Sequence, residues 1–251
     1  MSRAVVCALM IGRDGSVGFP KKNVFPVLGR PLAAYPLLAA KSARLVERVF
    51  VSTDSPGLMA IASDHGAELI ERPAALATKE ALGEDVFVHG YYEIKRRLAL
   101  EELEVELVVL LFANAATITG DLIDQGIQTL RNNDHFDSAV TTSVYNMWSP
   151  LRARRLGPDG CLTPFVPFET FGDPRTLNCD RDSQGDVHFA DMSVSVVRPG
   201  CLEHLHEGLL PQKWMGKRIA PIPSWGGCDV DYEWQIPTVE FWLRQHGIQE
   251  T

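Results

Sequence analysis

The chain predicts an α/β fold: a mostly parallel, Rossmann-like central sheet with helices on both faces and an antiparallel segment over residues 145–197. Three observations carry this. Strand-like and helix-like stretches alternate from residue 3 to about residue 144. The run "VELVVLLFA" (105–113) is almost continuously apolar, as a strand buried on both faces must be. Beyond Tyr145 the alternation gives way to prolines, glycines and turn signals such as "GPDG".

The elements follow in order. "RAVVCALM" (3–10) is small and β-branched and ends in glycines, a short buried strand. "RPLAAYPLLAAKSA" (30–43) predicts a helix with Pro31 at its first position, which Pro36 would bend if it lies inside the helix. "VERVFVST" (46–53) is a second strand. "SPGLMAIASDHGA" (55–67) is a helix capped by Ser55, with Pro56 at its first position and Gly66 at its end. "AELIERP" (67–73) is a short strand, and residues 84–103 carry helical periodicity. After the apolar run, Thr119 caps another helix and "DSAVTTSV" (137–144) is a strand. The tract 145–197 reads as an insertion of short antiparallel strands and loops. "KRIAPIP" (217–223) is a strand, and "CDVDYEWQIPTVEFWLRQHG" (228–247) is a strand end and a helix closing at Gly247. No repeat or linker divides the chain, so residues 1–251 read as one domain.

A net charge of −8 and a pI near 5.4 leave no general drive toward nucleic acid or anionic membrane, so any anion site must be local. No apolar run approaches the roughly 20 residues of a membrane span, and the N-terminus lacks a secretory pattern. Five scattered cysteines without a Cys-x-x-Cys argue against a disulfide framework or zinc site and fit a reducing cytoplasm. His204 and His206 fall on different faces of a helix-like stretch, a solvated surface.

The local anion site has a candidate. "IGRDGSVGFPKKN" (11–23) follows the first strand and combines glycines with Arg13, Lys21 and Lys22. Glycines let backbone N–H groups approach phosphate oxygens, and the cations supply charge. The spacing matches neither the dinucleotide fingerprint nor the P-loop.

These residues, R-x-G-S-x-G-x-P-x-K-N followed by "LGRPL", resemble the acylneuraminate cytidylyltransferases, the CMP–sialic acid synthetases and their relatives. Further stretches fall in that family's order: residues 49–77 ending in R-P-x-x-L-A, "VFVHG", "SPLRARRLGPDGCLTPF" (149–165) at its H-P-x-K segment, and "CDVDYEWQIPTVEFW" at its D-I-D motif and helix. The resemblance covers nearly the whole chain. It implies a nucleotidyltransferase fold and transfer of CMP from CTP to a nonulosonic acid, with release of pyrophosphate. It also implies a homodimer, with 145–197 supplying much of the contact. By matching positions, Arg13, Gly15, Ser16 and Lys22 would meet the triphosphate, Arg13 and Lys22 acting in catalysis, while Asn23 and Arg72 would read cytosine. Asp229 and Asp231 would hold Mg2+; their i, i+2 spacing puts both carboxylates on one face of an extended segment. Arg152 and Arg181 would grip the acceptor's carboxylate.

The chain departs from the pattern after the apolar run, where "LFANAATIT" (111–119) replaces L-Q-P-T-S-P-L-R. Glutamine becomes Phe112 and arginine becomes Ile118, so the acceptor pocket is expected to lose polar groups. Val17 stands where lysine is common, and "DMSVSV" replaces N-G-A-I-Y. Three readings stay open: CMP transfer to a sialic, legionaminic or pseudaminic type of acid; nucleotidyl transfer to a Kdo-like or other anionic acceptor; and a catalytically silent nucleotide-binding protein of the same fold.

Overall fold

The computed structural model describes residues 2–15, 18–78, 80–180 and 184–250. Strand β1 (Arg3–Ile11) leads through a small ribbon, β2 (Pro26–Val27) and β3 (Arg30–Pro31), into helix α1 (Ala34–Ser42). Two further steps follow, β4 (Arg48–Thr53) with α2 (Pro56–Asp64), and β5 (Glu68–Glu71) with α3 (Gly83–Ala99). Next come β6 (Leu103–Phe112), α4 (Gly120–Arg131) and β7 (Ser138–Val144). A hairpin of β8 (Arg154–Leu156) and β9 (Leu162–Pro164) precedes β10 (His188–Val197). The described chain closes with α5 (Pro199–Glu203), β11 (Ile219–Ser224) and α6 (Ile236–Gln245).

Seven strands form one sheet in the order β11-β7-β10-β6-β1-β4-β5. Neighbours are parallel except where β10 lies antiparallel between β6 and β7. Side chains alternate across β1, so Val6, Ala8 and Met10 pack with α1, α2 and α4, while Val5, Cys7 and Leu9 pack with α3 and α5. Each such fully buried Val or Leu contributes roughly 1.5–3 kcal/mol relative to exposure. A third cluster sets α6, through Val239, Trp242 and Leu243, against Val27 and Leu32 of the opening segment.

Both expected caps are formed: Leu58 N–H donates to Ser55 Oγ at 3.4 Å and Leu122 N–H to Thr119 Oγ1 at 3.3 Å. α6 ends before Gly247, whose φ of 77° only glycine adopts freely.

Three expectations need correction. Pro31 belongs to the β2–β3 ribbon rather than a helix start, and Pro36 falls in the first turn of α1, where no intrahelical N–H bond is lost and no bend is needed. The tract 145–197 is not a single insertion, because its last ten residues are β10, inside the central sheet. The Ser-rich alternation of β10 hid this, since Ser193 is buried with its hydroxyl against Thr117. Residues 228–231 are irregular rather than a strand end, because β11 stops at Ser224.

Candidate active site

β1 connects onward to β4 on one side of the sheet, and β6 connects to β7 on the other, so a crevice opens between their carboxyl ends. Ile11 and Phe112 are register partners at that point. The opening loop leaves from the first, and the turn 113–119 leaves from the second. A cleft of about 440 Å³ lies there and is lined by Arg13, Lys22, Asn23, Arg72, Asn114 and Asp231 together with apolar neighbours. Residues from five separate stretches of sequence thus converge.

The loop conformation explains its glycines. Gly15 has a φ of 81°, and a Cβ on Gly18 would lie 2.9 Å from the carbonyl oxygen of Asp231. Gly18 thereby lets the opening loop pack directly on the carboxylate loop. Ser16, assigned to the triphosphate, lies outside the described residues. Lys22 Nζ donates to Asp231 Oδ1 at 2.6 Å, with the lysine largely covered and the carboxylate 59% exposed. Arg13 reaches across to the Thr78 carbonyl at 3.5 Å.

Asn23 and Arg72 form the inner wall. Asn23 Nδ2 donates to the Arg13 carbonyl at 3.2 Å, and its Oδ1 is buried without a partner among the described residues. The Arg72 side chain is 2% exposed, with one terminal nitrogen donating to the Ser52 carbonyl at 2.5 Å and the other 3.7 Å from Asp54 Oδ1. Its Nε has no partner among the described residues. Burial pulls the Arg72 pKa down, Asp54 opposes that, and nearby Arg13 adds to it. An unpaired donor and an unpaired acceptor on one wall are what a heterocycle edge satisfies.

Val230 is fully buried between Asp229, which is half-buried, and Asp231, which is exposed and lines the cleft. Burial raises the Asp229 pKa, repulsion from Asp231 adds to this, and Lys22 and a hydrogen bond from Asn114 oppose it. Hard oxygen donors that repel each other beside a phosphate-sized cleft fit a divalent cation such as Mg2+, which characteristically takes one or two carboxylates plus substrate phosphates. Among the described residues no group of three or more His, Cys, Asp or Glu is arranged to hold a metal.

The turn 113–119 does something that the sequence comparison missed. Ala113, Ala115, Ala116 and Ile118 are buried, and the turn's polar groups clasp the carboxylate loop. Val230 N–H donates to the Asn114 carbonyl, and Asn114 Nδ2 donates to the Val230 carbonyl, each at 2.9 Å. Cys228 N–H donates to Thr117 Oγ1 at 3.0 Å. Gln235 was also missed: its Oε1 accepts from Asp231 N–H at 2.7 Å and Tyr232 N–H at 2.8 Å. An amide three to four residues after an Asp-x-Asp, at a helix start, is the signal for it.

Arg152 is not brought to this cleft. It is exposed, donates to the Cys179 carbonyl at 2.6 Å, and lines a second cleft with Arg154 and Phe168. Arg181 lies outside the described residues. All five cysteines are free, and among the described residues no helix is long and apolar enough to cross a membrane.

Over 147 residues the chain is 27% identical to the pseudaminic acid cytidylyltransferase and UDP-2,4-diacetamido-2,4,6-trideoxy-beta-L-altropyranose hydrolase of Helicobacter pylori, covering 58% of this chain and 27% of that protein. Over 88 residues it is 37% identical to the N-acylneuraminate cytidylyltransferase of Escherichia coli O18:K1:H7, covering 35% of this chain and 21% of that protein. The chain thus spans about a quarter of the length of these curated relatives. Among solved structures, a CMP:2-keto-3-deoxy-manno-octonic acid synthetase complexed with CTP superposes with a TM-score of 0.64 over 98% of this chain and 100% of that one, at 15% identity, a likeness of fold. The model of a family described as cytidylyltransferase matches residues 7–154, more than half of the sequence, taking in the opening loop, the Arg72 segment and the clasping turn. The chain belongs to that cytidylyltransferase family.

Proposed function

We propose that this chain transfers CMP from CTP to an acidic sugar, a nonulosonic acid of the sialic, legionaminic or pseudaminic type, releasing pyrophosphate. The observation that carries the reading is the convergence of Arg13, Lys22, Asn23, Arg72 and Asp231 on one cleft at the sheet's switch point. Cytosine offers an amine donor beside two acceptors, and the unpaired Asn23 Oδ1 and Arg72 Nε complement that pattern. The acceptor hydroxyl attacks the α-phosphorus, and the bond to the β-phosphate breaks. Arg13 and Lys22 balance the charge that develops on the phosphoryl oxygens and the leaving group. Asp229 and Asp231 would hold magnesium, which when bound supplies Lewis-acid stabilisation of the phosphates. Lys22, now paired with Asp231, keeps that carboxylate neutralised in the free protein.

Arg152 serves the acceptor in this reading only through a second copy of the chain. We assign the protein a homodimer in which the 145–187 segment covers its exposed Met147, Trp148, Leu156, Leu162 and Phe165 against the partner. We place it in the cytoplasm, where five unpaired thiols stay reduced. The second reading, a Kdo-like or other anionic acceptor, is favoured by Phe112, an apolar side chain lining the cleft where the family carries glutamine.

Pyrophosphate release with CTP, UTP, ATP or GTP against a panel of nonulosonic acids and Kdo tests both readings. Turnover confined to CTP and a nonulosonic acid is expected. Turnover with Kdo alone selects the second reading, and equal rates with CTP and UTP would remove the base assignment.

A further inference from the structure

The central strand β10 contains a bulge that the reading above leaves unused. Ala190 pairs with Thr142 and Ser195 with Val140, so residues 191–194 stand opposite Thr141 alone. Met192 within it has a φ of 62°, a left-handed conformation that is costly for a side chain of this size. Bulges re-aim side chains, and this one turns Asp191 inward. The residue is 5% exposed.

Every contact of Asp191 leads toward the carboxylate loop or repairs the bulge. Thr141 Oγ1 donates to Asp191 Oδ1 at 2.5 Å and accepts from Val194 N–H at 3.0 Å, filling the broken ladder. Ser193 N–H donates to Asp191 Oδ1 at 3.2 Å. Ser143 Oγ donates to Asp191 Oδ2 at 2.7 Å and accepts from Gly227 N–H at 3.1 Å. A Cβ on Gly227 would fall 2.2 Å from Asp191 Oδ2, so the glycine is there because the carboxylate presses on it. Gly227 stands two residues before Asp229.

We propose that Asp191 is a positioning residue: through Ser143 and Gly227 it fixes the start of the loop that carries Asp229 and sets Asp231 in the cleft. The inference rests on the transferase reading for its effect on rate. A negative, acceptor-only group suits the task, because both hydroxyls must donate to it and thereby turn their lone pairs toward backbone N–H groups. The strained bulge persists because the surrounding bonds over-determine it.

The test uses the full chain carrying Ser143→Ala, Asp191→Ala or both, read by amide hydrogen exchange without ligands and by steady-state kinetics. Ser143→Ala removes one buried oxygen and keeps the test decisive where Asp191→Ala fails to fold. The expected result is exchange at least tenfold faster at 227–231, with β1 and β6 unchanged. The kcat should fall about tenfold while KM for CTP stays within twofold. The double variant should be no slower than the worse single variant, as for two links of one chain. Exchange that rises evenly over the sheet, an undisturbed loop, or fully additive losses would overturn the proposal. Should the wild type release no pyrophosphate with any acceptor, the transferase reading fails by itself, and loop exchange still decides the anchor.

Discussion

The two walls of the cleft are built on opposite terms. On the inner wall, Asn23 Oδ1 and Arg72 Nε are buried with no partner among the described residues. On the carboxylate wall, the N–H groups of Gly227, Cys228, Val230, Asp231 and Tyr232 all have partners, four of the five donating to three side-chain oxygens. A buried polar group left unpaired costs about 1–3 kcal/mol, so the inner wall is in a state that a ligand relieves. The carboxylate wall is already satisfied and held still. Under the proposed function, recognition therefore loads the first wall and chemistry the second, and substitutions should separate along that line.

The largest effect expected is on the chemical step. Asp231→Ala removes one of two carboxylates proposed to hold magnesium and also frees Lys22 from its 2.6 Å partner. Single-turnover pyrophosphate release at saturating magnesium should fall by roughly 10²–10³-fold, on the scale of losing a main electrostatic stabiliser, while CTP affinity changes less. A near-wild-type rate would make the carboxylates structural and merge the two walls into one function.

Arg72→Lys tests the inner wall. Lysine keeps the charge but loses the planar fork and the Nε donor. A lost bond to a charged group costs about 1.5–3 kcal/mol, roughly a tenfold to hundredfold rise in KM for CTP. The preference for CTP over UTP should narrow, with kcat little changed. A variant that loses kcat and keeps its nucleotide preference would put Arg72 on the wrong wall.

Legibility in the sequence followed the same division. The opening loop announced itself because glycines and cations rarely crowd together in an acidic chain, and the parallel half was readable from its continuous apolar runs alternating with stretches of helical period. Arg72 and Asn23 could be matched by resemblance, yet their burial and unpaired atoms depend on partners ten or more residues distant, the Arg13 carbonyl for Asn23 and the Ser52 carbonyl for Arg72. Asn114 was hidden because its turn reads as a loss of polar groups, whereas the structure uses the small alanines to bring that turn beneath the carboxylate loop. β10 was hidden for a related reason: Asp191 and Ser193 look like solvated positions, and only the fold provides the hydroxyls of Thr141, Ser143 and Thr117 that let them be buried. Arg152 matched a motif position, but motif matching says nothing about which cleft a side chain lines.

The smallest effect expected is at Asn114, where the two walls meet. Its side chain lines the cleft, donates to the Val230 carbonyl at 2.9 Å and lies beside Asp229. Asn114→Ala keeps the backbone half of the clasp, because Val230 N–H still reaches the residue 114 carbonyl. The loss should be about 1 kcal/mol, a fall in Tm of roughly 2–4 °C for a chain of this size, with kcat lowered only a few-fold. Asn114→Asp should be worse than alanine despite its closer shape. A carboxylate cannot donate to the Val230 carbonyl, and it adds a negative charge beside Asp229, whose proton affinity is already raised by burial and by Asp231. The order wild type, alanine, aspartate in both Tm and kcat is therefore the expected outcome, read by calorimetry and pyrophosphate release. If alanine matches wild type in both, the clasp is idle and the carboxylate loop is held by Thr117, Ser143 and Gln235 alone. If aspartate matches alanine, the charge term is absent and the two walls do not communicate through this residue.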